Sequence, residues 1–154
     1  MIQKSHERVA LFAGSFNPFT IGHASIVERA LPLFDRIVIA VGINPDKHES
    51  ERQKDSNLEQ ISEYAARYDG KVEVISYSRE LTVDLAKRIG ARWLLRGVRS
   101  VKDFEYERDL ADINRRIGGI ETVLLFALPE HAAVSSSVVR ELASYGRDIA
   151  EFLP

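Results

Sequence analysis

Apolar positions along this chain gather in five short runs: RVALFAG (8–14), RIVIAVG (36–42), VEVISY (72–77), ARWLLRG (91–97) and ETVLLFAL (121–128). Most are near-continuous rather than alternating, the pattern of parallel strands covered on both faces. Between them the apolar residues recur at helical spacing: Ile26, Ala30 and Leu33 across 22–33, Leu58, Ile61 and Ala65 across 57–68, and Leu81, Leu85 and Ile89 across 81–89. In 103–117 the series Tyr106, Leu110, Ile113, Ile117 has the same period and predicts a core-facing side. SSSVVRELASYG (135–146) predicts a last helix with a serine cap and a closing glycine. Strand and helix therefore alternate. The expected fold is α/β, a doubly wound open sheet of about five parallel strands with helices on both faces. With no second core, repeat or low-complexity segment, a single domain spanning 1–154 is expected. The polar stretch PDKHESERQKDSN (45–57) reads as a mobile loop.

Composition narrows the function. A chain of 154 residues, 45% of them hydrophobic, suffices for one globular domain. The net charge of −2 gives no electrostatic reason to expect nucleic acid as a partner, so any bound anion must be held by local groups. The absence of cysteine removes disulfides, zinc-thiolate sites and thiol nucleophiles together. The opening MIQKSHERVALFAG has too short an apolar run for a signal peptide, and no stretch could span a bilayer. A cytoplasmic protein with no membrane partner is the expectation.

Chemistry enters with LFAGSFNPFTIGHAS (11–25), a turn longer and more particular than the two to six residues that usually join strand to helix. Ligands of open α/β sheets bind beyond the carboxyl ends of the strands, and the chemically unnecessary residues fall there. Ser15, Asn17, Thr20 and His23 follow the first strand, Lys47 the second and Thr82 the third. Arg96 and Arg99 of RGVR end the fourth, and Ser135, Ser136 and Ser137 follow the fifth. Each has a plain structural reading: a solvated histidine, a loop lysine, a serine cap. The arginines beside a buried strand end resist it most, since such groups are normally paired or bound. Asp103, Glu105, Glu107 and Arg108 read as a capped, salt-bridged helix surface. Neither a P-loop nor a dinucleotide fingerprint is present. Two helix starts, TIGH and SSS, offer free backbone N–H groups to an anion instead.

These blocks carry a resemblance. GSFNPFTIGH resembles the turn of the nucleotidyltransferases whose signature ends in (T/H)-x-G-H, while RGVRSVKDFEYE and VSSSVVRE resemble blocks of the bacterial phosphopantetheine adenylyltransferase family. The match runs from about residue 8 to the end. It implies a Rossmann-like fold and transfer of the adenylyl group of ATP, with magnesium, to 4′-phosphopantetheine. It also implies His23 as transition-state stabiliser, with Lys47 and Arg99 beside it in the chemistry. ATP contacts would fall on Ser15, Phe16, His23, Gly97, Val98, Arg99, Glu107 and the run His131, Ala132, Ala133, Val134, Ser135, Ser136, Ser137. Phosphopantetheine contacts would fall on Ser15, Lys47, Thr82 and Arg96. No protein metal ligand is implied, magnesium arriving on ATP phosphates, and a cytoplasmic homohexamer is the implied assembly. The chain departs from the family pattern at Asn17, an aspartate position, in HESERQKDSN, which lacks an apolar member, and at its short ending EFLP.

The chemistry suits the residues. An acceptor phosphate monoester has a second pKa of about 6 and is mostly dianionic at neutral pH, so it needs no general base. It needs positioning against a second anion and neutralisation of the charge that develops. Two alternatives stay open: a sister nucleotidyltransferase with another phosphorylated acceptor, and a non-catalytic flavodoxin-like nucleotide-binding module.

Overall fold

The computed structural model describes residues 6–47 and 50–154. Strands β1 (Val9–Gly14), β2 (Arg36–Gly42), β3 (Val72–Tyr77), β4 (Trp93–Val98) and β5 (Glu121–Phe126) form one sheet, all pairs parallel, in the order β3-β2-β1-β4-β5. Helices α1 (Ile21–Ala30), α2 (Glu51–Ala65), α3 (Thr82–Ile89), α4 (Val101–Gly118) and α5 (Ser136–Ser144) connect or follow them. The near-continuous strands are explained by two apolar layers. Ala10 and Phe12 of β1, with Ile37, Ile39 and Val41 of β2, pack on α1 and α2; Val9, Leu11, Ala13, Val38 and Ala40 pack on α3.

Strand order reverses between β1 and β4, and there the sheet is weakest. β1 and β2 are in register along six residue pairs, Val9↔Arg36 to Gly14↔Val41, whereas β1 and β4 are registered only at Ala10↔Trp93 and Leu11↔Leu94. Beyond Leu11 the two central strands part. The crevice expected at such a switch point opens at their carboxyl ends.

Three expectations need correction. Much of 45–57 is helix rather than loop: α2 begins at Glu51, where the Ser50 hydroxyl accepts from the Gln53 N–H at 3.3 Å. Glu51, Arg52, Gln53 and Lys54 are strong helix formers with no apolar period to reveal them. In α3, Leu85 is buried as expected, but Leu81 is an exposed N-cap and Val83 and Ala86 complete the buried face instead. The largest departure is α4, which turns the other way from its apolar series. Glu107 is 6% exposed and Asn114 is also buried, whereas Tyr106 and Ile117 are 63% and 56% exposed and Ile113 is exposed beside them. Glu107 is thus a buried charge and not part of a salt-bridged surface. What faces it across the layer is an arginine of β4, so an ion pair rather than apolar contact sets the rotation of this helix.

Candidate active site

A cavity of about 370 Å³ occupies the crevice. One wall is the turn after β1, with Gly14, Ser15 and Phe16; the floor is the first turn of α1, with Thr20, Gly22 and His23. Arg96, Gly97, Val98 and Arg99 at the end of β4 form the second wall with Asp103 and Glu107 of α4, and His131 and Val134 to Ser137 close the third. Helices α1, α4 and α5 all begin here, each capped by a hydroxyl: Thr20, Ser100 and Ser135. The first turns of α1 (Gly22, His23) and α5 (Ser136, Ser137) line the cavity and bring free N–H groups and positive dipole ends to the space an anion would fill, while α4 contributes Asp103.

His23 is held on three sides. TIGH is a capping box in which histidine takes the place usually held by Glu or Gln. The Thr20 N–H donates to Nδ1 of His23 at 2.9 Å, and the Thr20 Oγ1 lies 3.1 Å from the same nitrogen. With Nδ1 committed as acceptor, the proton of the neutral ring sits on Nε2. Phe19 stacks on the imidazole (ring centroids 5.4 Å apart, planes at 28°) and Phe16 meets it edge-on at 5.0 Å. Burial, then the charges of Arg99 and Arg96, push the His23 pKa down to about 4. At neutral pH it is therefore an uncharged hydrogen-bond donor. Phe16, with φ of 44°, is held in the left-handed region, a conformation that costs an aromatic residue about 1–3 kcal/mol and recurs where function requires it. Its ring is buried among Phe12 and Phe19, so its side chain supports His23 from below.

Arg96 bridges the split between the central strands. Its Nη1 donates to the Ala13 carbonyl at 2.7 Å, and Nε and Nη2 donate to the two Glu107 oxygens at 2.9 and 2.7 Å. Burial opposes the charge on Arg96 most strongly, but the hydrogen bonds and the charge of Glu107, with smaller contributions from Tyr106 and Tyr77, together outweigh it and raise the pKa. Arg99 lies 3.5 Å from Asp103. A second cavity of about 160 Å³ adjoins the first, and Ala13, Arg96 and Glu107 line both. Leu81, Leu94 and Leu110 make its surface largely apolar, with Thr82, Asn114 and Thr122 as polar points.

Each of the three serines has separate work. Ser135 caps α5 through the Val138 N–H at 3.2 Å, the Ser136 hydroxyl donates to the Pro18 carbonyl at 2.8 Å, and Ser137 accepts from Arg140 at 3.3 Å. Arg140 also donates to the Asn17 carbonyl. The last helix is thereby clamped to the turn that presents His23.

Of the residues named from sequence, Ser15, Phe16, His23, Arg96, Gly97, Val98, Arg99, Glu107, His131, Val134, Ser135, Ser136 and Ser137 line the main cavity. Thr82 lines the adjoining one. Ala132 and Ala133 line neither, and Lys47 lies exposed in the connection after β2, outside both. Gly97 has a packing reason of its own, since a Cβ there would come within 3.1 Å of Ile26 on α1. Two contributors escaped the sequence reading. Arg140 stood inside the VSSSVVRE block with no role, and the capping function of Thr20 was hidden because the box is normally recognised by a Glu or Gln.

Residues 11–142 match the cytidylyltransferase-like family. The chain is 52% identical over 151 residues to a phosphopantetheine adenylyltransferase of Porphyromonas gingivalis, covering 96% of this chain and 95% of the relative. It is 47% identical over 152 residues to that of Bacteroides thetaiotaomicron, with the same coverage. A solved Plasmodium falciparum nicotinic acid mononucleotide adenylyltransferase, in complex with NaAD, superposes with a TM-score of 0.67 at 15% identity, over 96% of this chain and 91% of that one. That likeness speaks for the fold alone.

Proposed function

The chain belongs to the cytidylyltransferase-like family, among its phosphopantetheine adenylyltransferases, and from that premise we propose how its residues divide the work. The reaction is transfer of the adenylyl group of ATP to 4′-phosphopantetheine, a step of coenzyme A biosynthesis. The observation that carries the mechanism is the convergence of two helix N-termini, two arginines and a neutral histidine on one cavity.

ATP occupies the larger cavity, its phosphates against the first turns of α1 and α5 and beside Arg99. The acceptor lies along the smaller cavity, whose apolar wall and scattered polar points suit a slender amide-bearing chain. Its phosphate meets Arg96 on the wall that both cavities share. That arrangement lines up the acceptor oxygen for in-line attack on the α-phosphate. The acceptor is already dianionic, so no side chain need take a proton. His23 Nε2–H donates to the oxygen on which charge develops, as an oxyanion-hole donor does. Lys47 is assigned to the acceptor by resemblance; it lies exposed after β2 and lines neither cavity.

Among the described residues, no cluster of three His, Cys, Asp or Glu could hold a metal ion, and the cavity carboxylates Asp103 and Glu107 are turned to arginines. By the resemblance, magnesium would arrive with the ATP phosphates and water and would neutralise charge on the departing pyrophosphate. Two further parts of the proposal rest on resemblance: a cytoplasmic location, where ATP is available, and a homohexamer. The exposed stripe Tyr106, Ile113, Ile117 on α4 supports self-association. No helix of the described residues is long and apolar enough to cross a membrane.

The test is pyrophosphate release with ATP or CTP against a panel of phosphorylated acceptors. Turnover should be fastest with ATP and phosphopantetheine; equal or better turnover with nicotinamide mononucleotide or glycerol phosphate would overturn the assignment.

A further inference from the structure

We propose that Tyr64 of α2 is a positioning residue for the transfer: it holds the Phe19 ring against His23 and so keeps the histidine dry and aimed at the reacting phosphate. The inference rests on the role given to His23 above and concerns a residue that lines neither cavity. Phe19 stacks on the imidazole with ring centroids 5.4 Å apart, and Tyr64 packs on Phe19 at 5.1 Å. Tyr64 is 1% exposed and Phe19 is buried with it, so neither ring has room to turn away. The Tyr64 hydroxyl donates to the carbonyl of Ala24, one residue beyond His23, at 3.3 Å, and it lies 3.5 Å from Glu28, a turn further along α1. The Tyr68 hydroxyl donates to Glu28 at 2.8 Å and lies 3.1 Å from that of Tyr64. Burial first, then the Tyr68 hydroxyl, push the Tyr64 pKa up, so the phenol stays protonated and remains a donor.

Phe16 and Phe19 stand on the same turn that leads into His23, so a shift of that turn carries all three rings together. Tyr64 comes from α2 and grips both the ring stack and the α1 backbone beside it, a contact that crosses 40 residues of sequence. A wholly apolar core position would need no hydroxyl, whereas a ring pinned at its polar tip makes a fixed support. His23 depends on that support, because burial is the first cause of its lowered pKa. Without the Tyr64 ring, Phe19 gains a cavity to turn into and water gains a path to the imidazole. The donor then loses its fixed direction. Arg96 and Arg99, whose charges also lower the His23 pKa, are untouched by such a change.

The experiment compares Tyr64→Leu, Tyr64→Phe and Tyr68→Phe with the native enzyme by steady-state kinetics and by NMR titration of the His23 ring, assigned through its loss in His23→Ala. Circular dichroism checks folding, and Tyr64→Met replaces Tyr64→Leu should that variant not fold. Without the aromatic ring, kcat should fall roughly tenfold while both KM values stay within about threefold. The His23 pKa should rise from about 4 toward 6.5 in the same variant. Tyr64→Phe keeps the ring and Tyr68→Phe keeps the whole of Tyr64, so both should hold kcat within about threefold of native and leave the His23 pKa low. A tyrosine that serves packing alone would give a lower unfolding midpoint with kcat and the His23 titration unchanged, and that result would overturn the proposal. So would a loss of kcat as large in Tyr64→Phe or Tyr68→Phe as in Tyr64→Leu, which would put the effect in the hydrogen bonds instead of the ring. If the native enzyme failed to adenylylate phosphopantetheine, the functional reading would fall, while the His23 titration would still decide the role of Tyr64.

Discussion

His23 works in an environment that makes it a poor base and a good donor, and its variants should show both properties. His23→Ala should lower kcat by about 10²–10³-fold, the usual loss for one oxyanion-type donor, while near-ultraviolet circular dichroism stays native. The same side chain should make the fold acid-sensitive. Its folded pKa of about 4 lies below the ordinary imidazole value of 6.5, so between those values the unfolded chain binds more protons. Stability due to this group is therefore intact above the unfolded value and declines as pH falls toward about 4. Melting temperatures of native protein and His23→Ala should diverge less at pH 5 than at pH 7, if the lost packing is otherwise the same; a pH-independent difference would contradict the depressed pKa. The two arginines should separate in a different way. Arg96→Ala leaves Glu107 buried without its partner, a change that costs about 3–5 kcal/mol, and should weaken phosphopantetheine more than ATP. Arg99→Ala breaks only a half-exposed contact with Asp103 and should mainly harm ATP binding or the chemical step. Calorimetric titration with each substrate and urea unfolding would check both; equal losses for both substrates in both variants would make the pair merely structural.

At the scale of elements, α5 and the turn before α1 form one unit through hydrogen bonds that cross 118 and 123 residues of sequence. Removing the arginine of that clamp (Arg140→Ala) should cost no more than about 1 kcal/mol of stability, as an exposed interaction does, but loosen the turn before His23 and reduce kcat. Urea unfolding beside kinetics would show the split. Gly22 offers a complementary case. A Cβ there would meet nothing closer than the Thr20 hydroxyl oxygen at 3.4 Å, and its φ is ordinary, so the protein itself does not demand glycine. Gly22→Ala should fold as stably as the native chain or better, yet lose ATP affinity if the phosphates lie against that backbone. These elements also mark what could be read from sequence. All five strands were legible because each is a short, mainly apolar run, buried throughout most of β1 and β2 and only partly in the edge strands β3 and β5, and most cavity residues were legible because they end or follow strands. The rotation of α4 was not, since it is set by Glu107 meeting Arg96, a contact no local period encodes. The start of α2 was missed because its first turns carry a cap and helix formers but no apolar face.

For the whole molecule, the outward stripe of α4 predicts association. Sedimentation of the native protein should show an oligomer, and Ile113→Glu with Ile117→Glu should release smaller species that keep their circular dichroism spectrum, because Glu107 still anchors the helix. A single sedimenting monomer before any substitution would reject self-association through this face. The cavity itself has a property that belongs to the fold rather than to any residue. Arg96 and Arg99 are matched by Glu107 and Asp103, so these four formal charges cancel. To these directional contacts the starts of α1 and α5 add a field equivalent to roughly half a positive charge each, and neither can titrate. Such a site recognises a triphosphate by shape and direction and does not drown it in surplus cations. It can therefore let go: a reaction that leaves pyrophosphate behind turns over only as fast as that product departs.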